Sequence, residues 1–185
     1  NYYSEIMKND LTEGRMAFEK QLDIMCAGAF SVSNDSDLKW VYFLDGLKDG
    51  DNNIAALIRC NDMLRQTFAD SEHYQNYSVI MKNELIFRKS GMVVGDKFFY
   101  DNYCTYQNTD FETWRKQSFE ADTWQLFPLE EIDTGEETLQ AMTFSYPVRN
   151  YIQQEQEANA VVQFLLSKEN LEQMFGQLLS RQGGI

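Results

Sequence analysis

Few residues in this chain could do acid–base or nucleophilic chemistry. His73 is the only histidine, which removes any site built from two imidazoles. It follows Asp70-Ser71-Glu72, so a Ser–His–Asp set can be named in sequence. Adjacent residues at one helix end cannot reach triad geometry. A cysteine nucleophile with His73 has no local signature here. Paired carboxylates occur at Glu130-Glu131 and Glu136-Glu137, beside Pro128 and Gly135. They read as solvated loops rather than a glycosidase pair. No GxSxG, HExxH, Walker or GxGxxG pattern is present. The run Asp49-Gly50-Asp51-Asn52-Asn53 lacks the remaining ligand spacing and distal glutamate of a calcium loop. The expectation is no catalytic residue, no metal and no cofactor. A hydrolase would need His73 in hydrogen-bond reach of a nucleophile, or paired carboxylates facing one cleft.

Binding chemistry is better represented. Ten of the 26 aromatic residues fall between Phe98 and Phe127. Tyrosine and tryptophan offer a flat apolar face and a polar tip, which suits a small-molecule pocket. Tyr103, Tyr106, Trp114 and Trp124 read equally as pocket or core, whereas most phenylalanines of the segment read as cover for a sheet face. Arg115, beside Trp114, could pair with a carboxylate or stack on a ring. Tyr146 and Arg149, at the end of a neighbouring strand, complete the candidate ligand-binding set.

Composition bounds what such a site could serve. The 185 residues, 43% of them hydrophobic, suit one domain with a real core. A formal charge of −13 argues against nucleic acid and against docking on an anionic membrane. Cys26, Cys60 and Cys104 are odd in number and lack CxxC spacing, so a disulfide framework is not expected. Cys26 and Cys60 sit in apolar helical patterns and read as core. No segment is apolar enough for a membrane span, and no signal peptide is visible. The chain starts at Asn1 and stops at Gly183-Gly184-Ile185, which reads as a piece of something longer.

The elements that must position these residues follow from periodicity. Tyr3, Met7, Leu11, Phe18, Leu22, Met25 and Ala29 form one stripe on a long helix. Its early part is narrow, so it could project beyond the domain and pair with a copy of itself. Ser33 to Asp37 is a polar break with capping residues, and Leu38 to Leu47 is short and mixed. Asn52 or Asn53 could cap a second helix marked by Ile54, Leu57, Ile58, Met63, Leu64 and Phe68. Then period two begins. Tyr77, Val79 and Met81 face one side, and Ser78, Ile80 and Lys82 the other. Leu85 to Phe87 continues the sheet, and Gly91 turns the chain before Met92. Leu139 to Tyr146 reads as a strand stopped by Pro147. Ala160 to Leu166, apolar on both faces apart from Gln163, reads as a central strand. Arg149 to Glu157 is a polar connection between them. Ser167 caps a last helix carrying Leu171, Met174, Phe175, Leu178 and Leu179.

The order of these blocks resembles the extracytoplasmic Cache sensor domains of bacterial transmembrane receptors, a PAS-like fold. The blocks are the first helix ending KQLDIMCAGAFSV, the unit NYSVIMKNELIFRKSGMVV, and LQAMTFSYPV…ANAVVQFLLSKENLEQMF. The type most similar is that of membrane-bound AraC-like transcription regulators and of Gram-positive sensor histidine kinases. The resemblance implies an α+β fold, a long N-terminal helix on an antiparallel sheet with helical cover. It also implies a small ligand, signalling through that helix, and anchoring by membrane segments outside this chain. Two departures matter. The chain ends soon after the Ser167 helix, so a second, membrane-proximal subdomain would be absent or truncated. The Arg, Trp, Tyr and distant Asp signature of amino-acid-binding double-Cache receptors is not matched, so that specificity is not carried over to Trp114, Arg115 or Tyr146. Free cysteines also fit an oxidising compartment poorly, a conflict that an anaerobic host would remove.

The expected organisation is therefore a helical segment over 1–75, a PAS-like sheet over 76–166 with the aromatic insert at 98–127, and a C-terminal helix over 167–185. The expected function is ligand sensing outside the cytoplasm, with a population shift of the aromatic insert against the first helix, within a homodimer. The alternative is a protein-interaction module, in which exposed aromatics and the first helix form a partner surface instead of a pocket.

Overall fold

A computed structural model describes residues 2–42, 44, 50–68, 74, 76–149 and 156–176. Helix α1 spans Tyr2–Ser33, α2 Ser36–Val41 and α3 Gly50–Phe68. Strands β1 (Ser78–Met81), β2 (Leu85–Arg88) and β3 (Gly91–Val94) follow, then α4 (Asp96–Tyr103), β4 (Thr105–Tyr106) and α5 (Phe111–Glu120). Strands β5 (Gln125–Asp133), β6 (Thr138–Val148) and β7 (Ala160–Ser167) lead into α6 (Lys168–Phe175). All strands pair antiparallel in one sheet of order β3-β2-β1-β7-β6-β5-β4. The fold is α+β, a long N-terminal helix on a PAS-like antiparallel sheet with helical cover.

Strand β7 is central, as its nearly unbroken apolar run requires, and every residue from Ala160 to Leu166 is buried. Alternation along it separates two cores. Ala160, Val162, Phe164 and Leu166 join Val79, Phe87 and Phe144 beneath α1, α2 and α3. Val161 and Leu165 join Ile80, Ile86, Trp114 and Phe119 beneath α4 and α5. The aromatic segment is itself the helical cover of that second face.

Local chemistry sets the element ends. Asp35 caps α2, its carboxylate accepting from the amides of Asp37 (2.8 Å) and Leu38 (3.2 Å). Ser167 caps α6 by accepting from the Asn170 amide (3.2 Å). The Asn83 amide between β1 and β2 donates to the carbonyls of Val41 and Leu44, each at 3.0 Å, and so fastens the hairpin to α2.

Four expectations need correction. Strand β6 runs through Pro147 to Val148 instead of stopping. Strand β5 accompanies β6 only as far as the Gln125–Ser145 pair, so no strand lies beside Pro147 on that side to need its missing N–H. Helix α3 begins at Gly50, which puts Asn52 and Asn53 inside its first turn rather than at its cap. Ile54 and Ile58 are exposed, and Ala56, Leu57, Cys60 and Leu64 form the buried face. Glu130 is a buried strand residue and not part of a solvated loop. Its carboxylate accepts from the Asn108 amide (2.8 Å) and the Thr109 hydroxyl (2.9 Å). Leu178 and Leu179 lie outside the described residues, as does most of the Arg149–Glu157 connection.

Candidate functional site

A cavity of about 490 Å³ opens on the face covered by α4 and α5. Ser78 on β1, Arg88 at the end of β2 with Lys89 and Ser90 after it, and Gln163 and Leu165 on β7 form its sheet side. Phe99 and Tyr103 from α4 and Cys104 just after it oppose them, and Thr134, Glu136 and Glu137 of the β5–β6 turn close one end. The size is that of a small-molecule site, and the mixture of aromatic and polar walls suits one.

The β5–β6 turn is held firmly. The amide and hydroxyl of Thr134 both donate to the Glu137 carbonyl (2.9 Å each), and the Gly135 amide donates to Asp133 Oδ1 (2.8 Å). Gly135 has φ +76°, and a Cβ there would lie 2.2 Å from the Asn102 carbonyl oxygen. Only glycine therefore permits the turn to sit against the end of α4. Seated there, the turn brings the Glu136 carboxylate 3.2 Å from Arg88 Nη2.

Gln163 is the buried polar member of this wall, with only 2% of its surface exposed. Its Nε2 donates to Ser118 Oγ (2.9 Å) and Ser145 Oγ (3.2 Å). Its Oε1 has no partner among the described residues. An unpaired buried acceptor costs about 1–3 kcal/mol. Elsewhere in the lining, burial pushes the Cys104 thiol up to about 12, so it is neutral near pH 7 and no nucleophile.

The residues expected to bind ligand do not converge. Tyr103 alone among them lines the cavity. Trp114 is wholly buried, packed with Phe99, Tyr100 and Phe111 at ring distances of 6.1, 5.5 and 6.0 Å. Tyr106 is buried in the same core, its hydroxyl 2.8 Å from Thr143 Oγ1, and burial holds its pKa well above the ordinary tyrosine value. Arg115 pairs with Asp96 (2.7 Å) and Glu157 (2.8 Å) and lies over the Phe119 ring. Burial would lower its pKa, but the bonds to Glu157 and Asp96 outweigh that and raise it. Arg149 donates to the Ala121 carbonyl from Nε (3.0 Å) and Nη2 (2.7 Å), tying the end of α5 to the end of β6. Trp124 and Tyr146 belong to the other face. Trp124 stacks on Phe144 at 5.5 Å, and Tyr146 packs against the core beneath α1.

Sequence reasoning missed Arg88, Glu136 and Gln163. Gln163 had a signal, as the one polar residue in an otherwise apolar central strand. The geometry also revises the expected coupling. The helices of the insert, α4 and α5, lie on the face of the sheet opposite α1, so they can influence it only through the sheet or through the 124–127 end of the insert, which packs on the α1 face.

Of the paired carboxylates, Glu136 and Glu137 both line the cavity, with Glu136 bonded to Arg88. His73 lies outside the described residues. Glu130 is committed to the 108–109 loop. Among the described residues no cluster could hold a metal ion, and no helix is long and apolar enough to cross a membrane. All three cysteines are free thiols.

No protein-family model matches the chain, and no curated protein matches it. Among solved structures, the fold is similar to the periplasmic sensory domain of the Campylobacter jejuni chemoreceptor Tlp1, with a TM-score of 0.54 at 10% identity. The match covers 98% of this chain and 64% of that one, so this chain spans less than two thirds of the structure it resembles.

Proposed function

We propose that this chain is the ligand-sensing extracytoplasmic domain of a bacterial transmembrane signalling or transcription-regulatory protein, without catalysis of its own. The observation that carries this reading is the cavity between β1, β2 and β7 on one side and the end of α4 on the other. It lies in a fold like that of a periplasmic sensory domain. Ligand would favour one seating of α4 and the β5–β6 turn on the sheet. The shift would travel through β6 and β7 to α6 and α1, which pack on the far side. Met7, Leu11 and Met16 are exposed on the first half of α1 and suit pairing with a second copy, through which the displacement would reach the membrane. A protein-interaction module has less support. Within the aromatic segment only Phe98 and Trp124 are large and well exposed, and they do not make a contiguous aromatic patch.

A thermal-shift screen against a broad metabolite library tests the reading. A ligand that binds only the native state raises the melting temperature. At least one compound should do so, and substitution at Gln163 should abolish its effect. A library without a single hit would remove the support for sensing.

A further inference from the structure

We propose that the cavity takes a small carboxylate that also carries a hydrogen-bond donor, and that this ligand displaces Glu136 from Arg88. The proposal deepens the sensing reading and rests on it. Four charged residues line the cavity: Arg88, Lys89, Glu136 and Glu137. They are not equivalent. The Arg88 side chain is 16% exposed, whereas that of Glu136 is 69% exposed. A charge so far from water interacts strongly with an incoming anion, and Glu136 can return to solvent at little cost. Lys89 and Glu137 are exposed and remain largely screened.

Arg88 also has donors to spare. Among the described residues its side chain makes one hydrogen bond, from Nη2 to Glu136, while its guanidinium carbon lies over the Tyr103 ring. A guanidinium offers five N–H groups in a planar fork that matches a carboxylate bidentately. A ligand carboxylate can therefore make two bonds where Glu136 makes one. The second requirement comes from Gln163, a residue of the cavity wall whose Oε1 is unpartnered and itself shut off from open space, so a ligand donor reaches it only as the side chain turns toward the cavity. A hydroxyl or N–H on the ligand would satisfy it.

Because the β5–β6 turn presents Glu136, exchange of carboxylates at Arg88 removes one of the turn's ties to the sheet. Ligand entry is thereby linked to the seating of that turn against α4.

The test is calorimetric titration of the whole domain with lactate, malate and citrate, with lactamide and malamide as uncharged counterparts, and with glycerol and putrescine. Wild type, Arg88→Gln, Arg88→Lys and Glu136→Gln are compared. The expected result is that a carboxylate binds wild type and binds about tenfold or more weakly to Arg88→Gln. It should bind about threefold or more tightly to Glu136→Gln, which has lost its internal competitor, and the amides should bind poorly throughout. If Arg88→Gln does not fold, the charge-retaining Arg88→Lys and the surface change Glu136→Gln still decide the matter. Carboxylate binding that ignores both positions, or binding only of glycerol, putrescine or the amides, overturns this inference and leaves the sensing reading standing. No binding here together with no hit in the metabolite screen overturns both.

Discussion

The guanidinium carbon of Arg88 lies 4.0 Å from the centroid of the Tyr103 ring. One residue ends β2 and the other ends α4, so this contact joins sheet to cover at the cavity mouth. A cation over an aromatic face, partly shielded from water, contributes about 0.5–2 kcal/mol. The ring carries the effect and the hydroxyl does not. Tyr103→Phe should therefore change stability by less than about 0.5 kcal/mol, while Tyr103→Ala should cost about 1–3 kcal/mol from the lost contact and buried area. Urea denaturation separates the two. Equal losses in both variants would mean that the hydroxyl, not the ring face, holds the mouth together.

Gly28 lies in α1 where a Cβ would fall 2.7 Å from both Cε1 and Oη of Tyr74. Tyr74 in turn donates to the Ile24 carbonyl (3.1 Å) and packs against Phe68 and Phe164. Glycine to alanine within a helix ordinarily gains about 1 kcal/mol. Here the sign should reverse, with Gly28→Ala costing about 1–3 kcal/mol through overpacking. In a Tyr74→Ala background the same change should become stabilising. A double-mutant cycle in urea measures this, and additive effects would show that Tyr74 does not set the limit.

Cys60 and Cys104 should make the domain sensitive to alkali. Burial raises both thiols from 9.0 to about 12. The unfolded chain thus gives up these protons at lower pH than the native state, so stability falls as pH rises. The contribution is fully present below about pH 9 and is lost progressively from there to about pH 12, at up to roughly 1.4 kcal/mol per pH unit for each thiol. Unfolding in urea under reducing conditions between pH 7 and pH 10 should show the decline. The Cys60→Ala/Cys104→Ala variant should show a shallower slope, and an unchanged slope would assign the alkaline loss to other groups.

Much of the fold could be read from periodicity because burial imposes it locally. The run Ala160 to Leu166 is apolar on both faces, and a strand with that pattern must be covered twice. The alternation at Tyr77 to Met81 likewise assigned its faces correctly. The cavity could not be read in the same way. An aromatic side chain suits a pocket and a core for the same reason, so the cluster from Phe98 to Phe127 did not reveal that Trp114 is wholly buried or that Trp124 packs across the sheet. Arg88 and Glu136 are 48 residues apart, and nothing local to either announces a partner. Their meeting depends on β6 pairing with β7 and β7 with β1, and on Gly135 letting the turn approach Asn102.

Gln163 tests whether the cavity wall is kept for stability or for binding. Its amide gains two hydrogen bonds, to Ser118 and Ser145, but holds an unpaired carbonyl in the core. Two such bonds contribute about 1–3 kcal/mol and one buried unpaired acceptor costs about as much. Gln163→Leu alone would strand the buried Ser118 and Ser145 hydroxyls, so the informative variant is Gln163→Leu/Ser118→Ala/Ser145→Ala, which removes every polar term and should stay within about 1.5 kcal/mol of zero. Gln163→Glu should behave differently. Burial would raise the pKa of the new carboxyl above that of the unfolded chain, so the variant should be most stable at acid pH and lose stability as pH rises past about 4. Chemical denaturation of both variants at pH 4 and pH 7 reads this directly. If the triple variant instead loses 3 kcal/mol or more, the polar cluster is structural and its open acceptor needs no ligand. If the loss is small, the central strand keeps a polar residue that folding does not require, and binding is the remaining use for it.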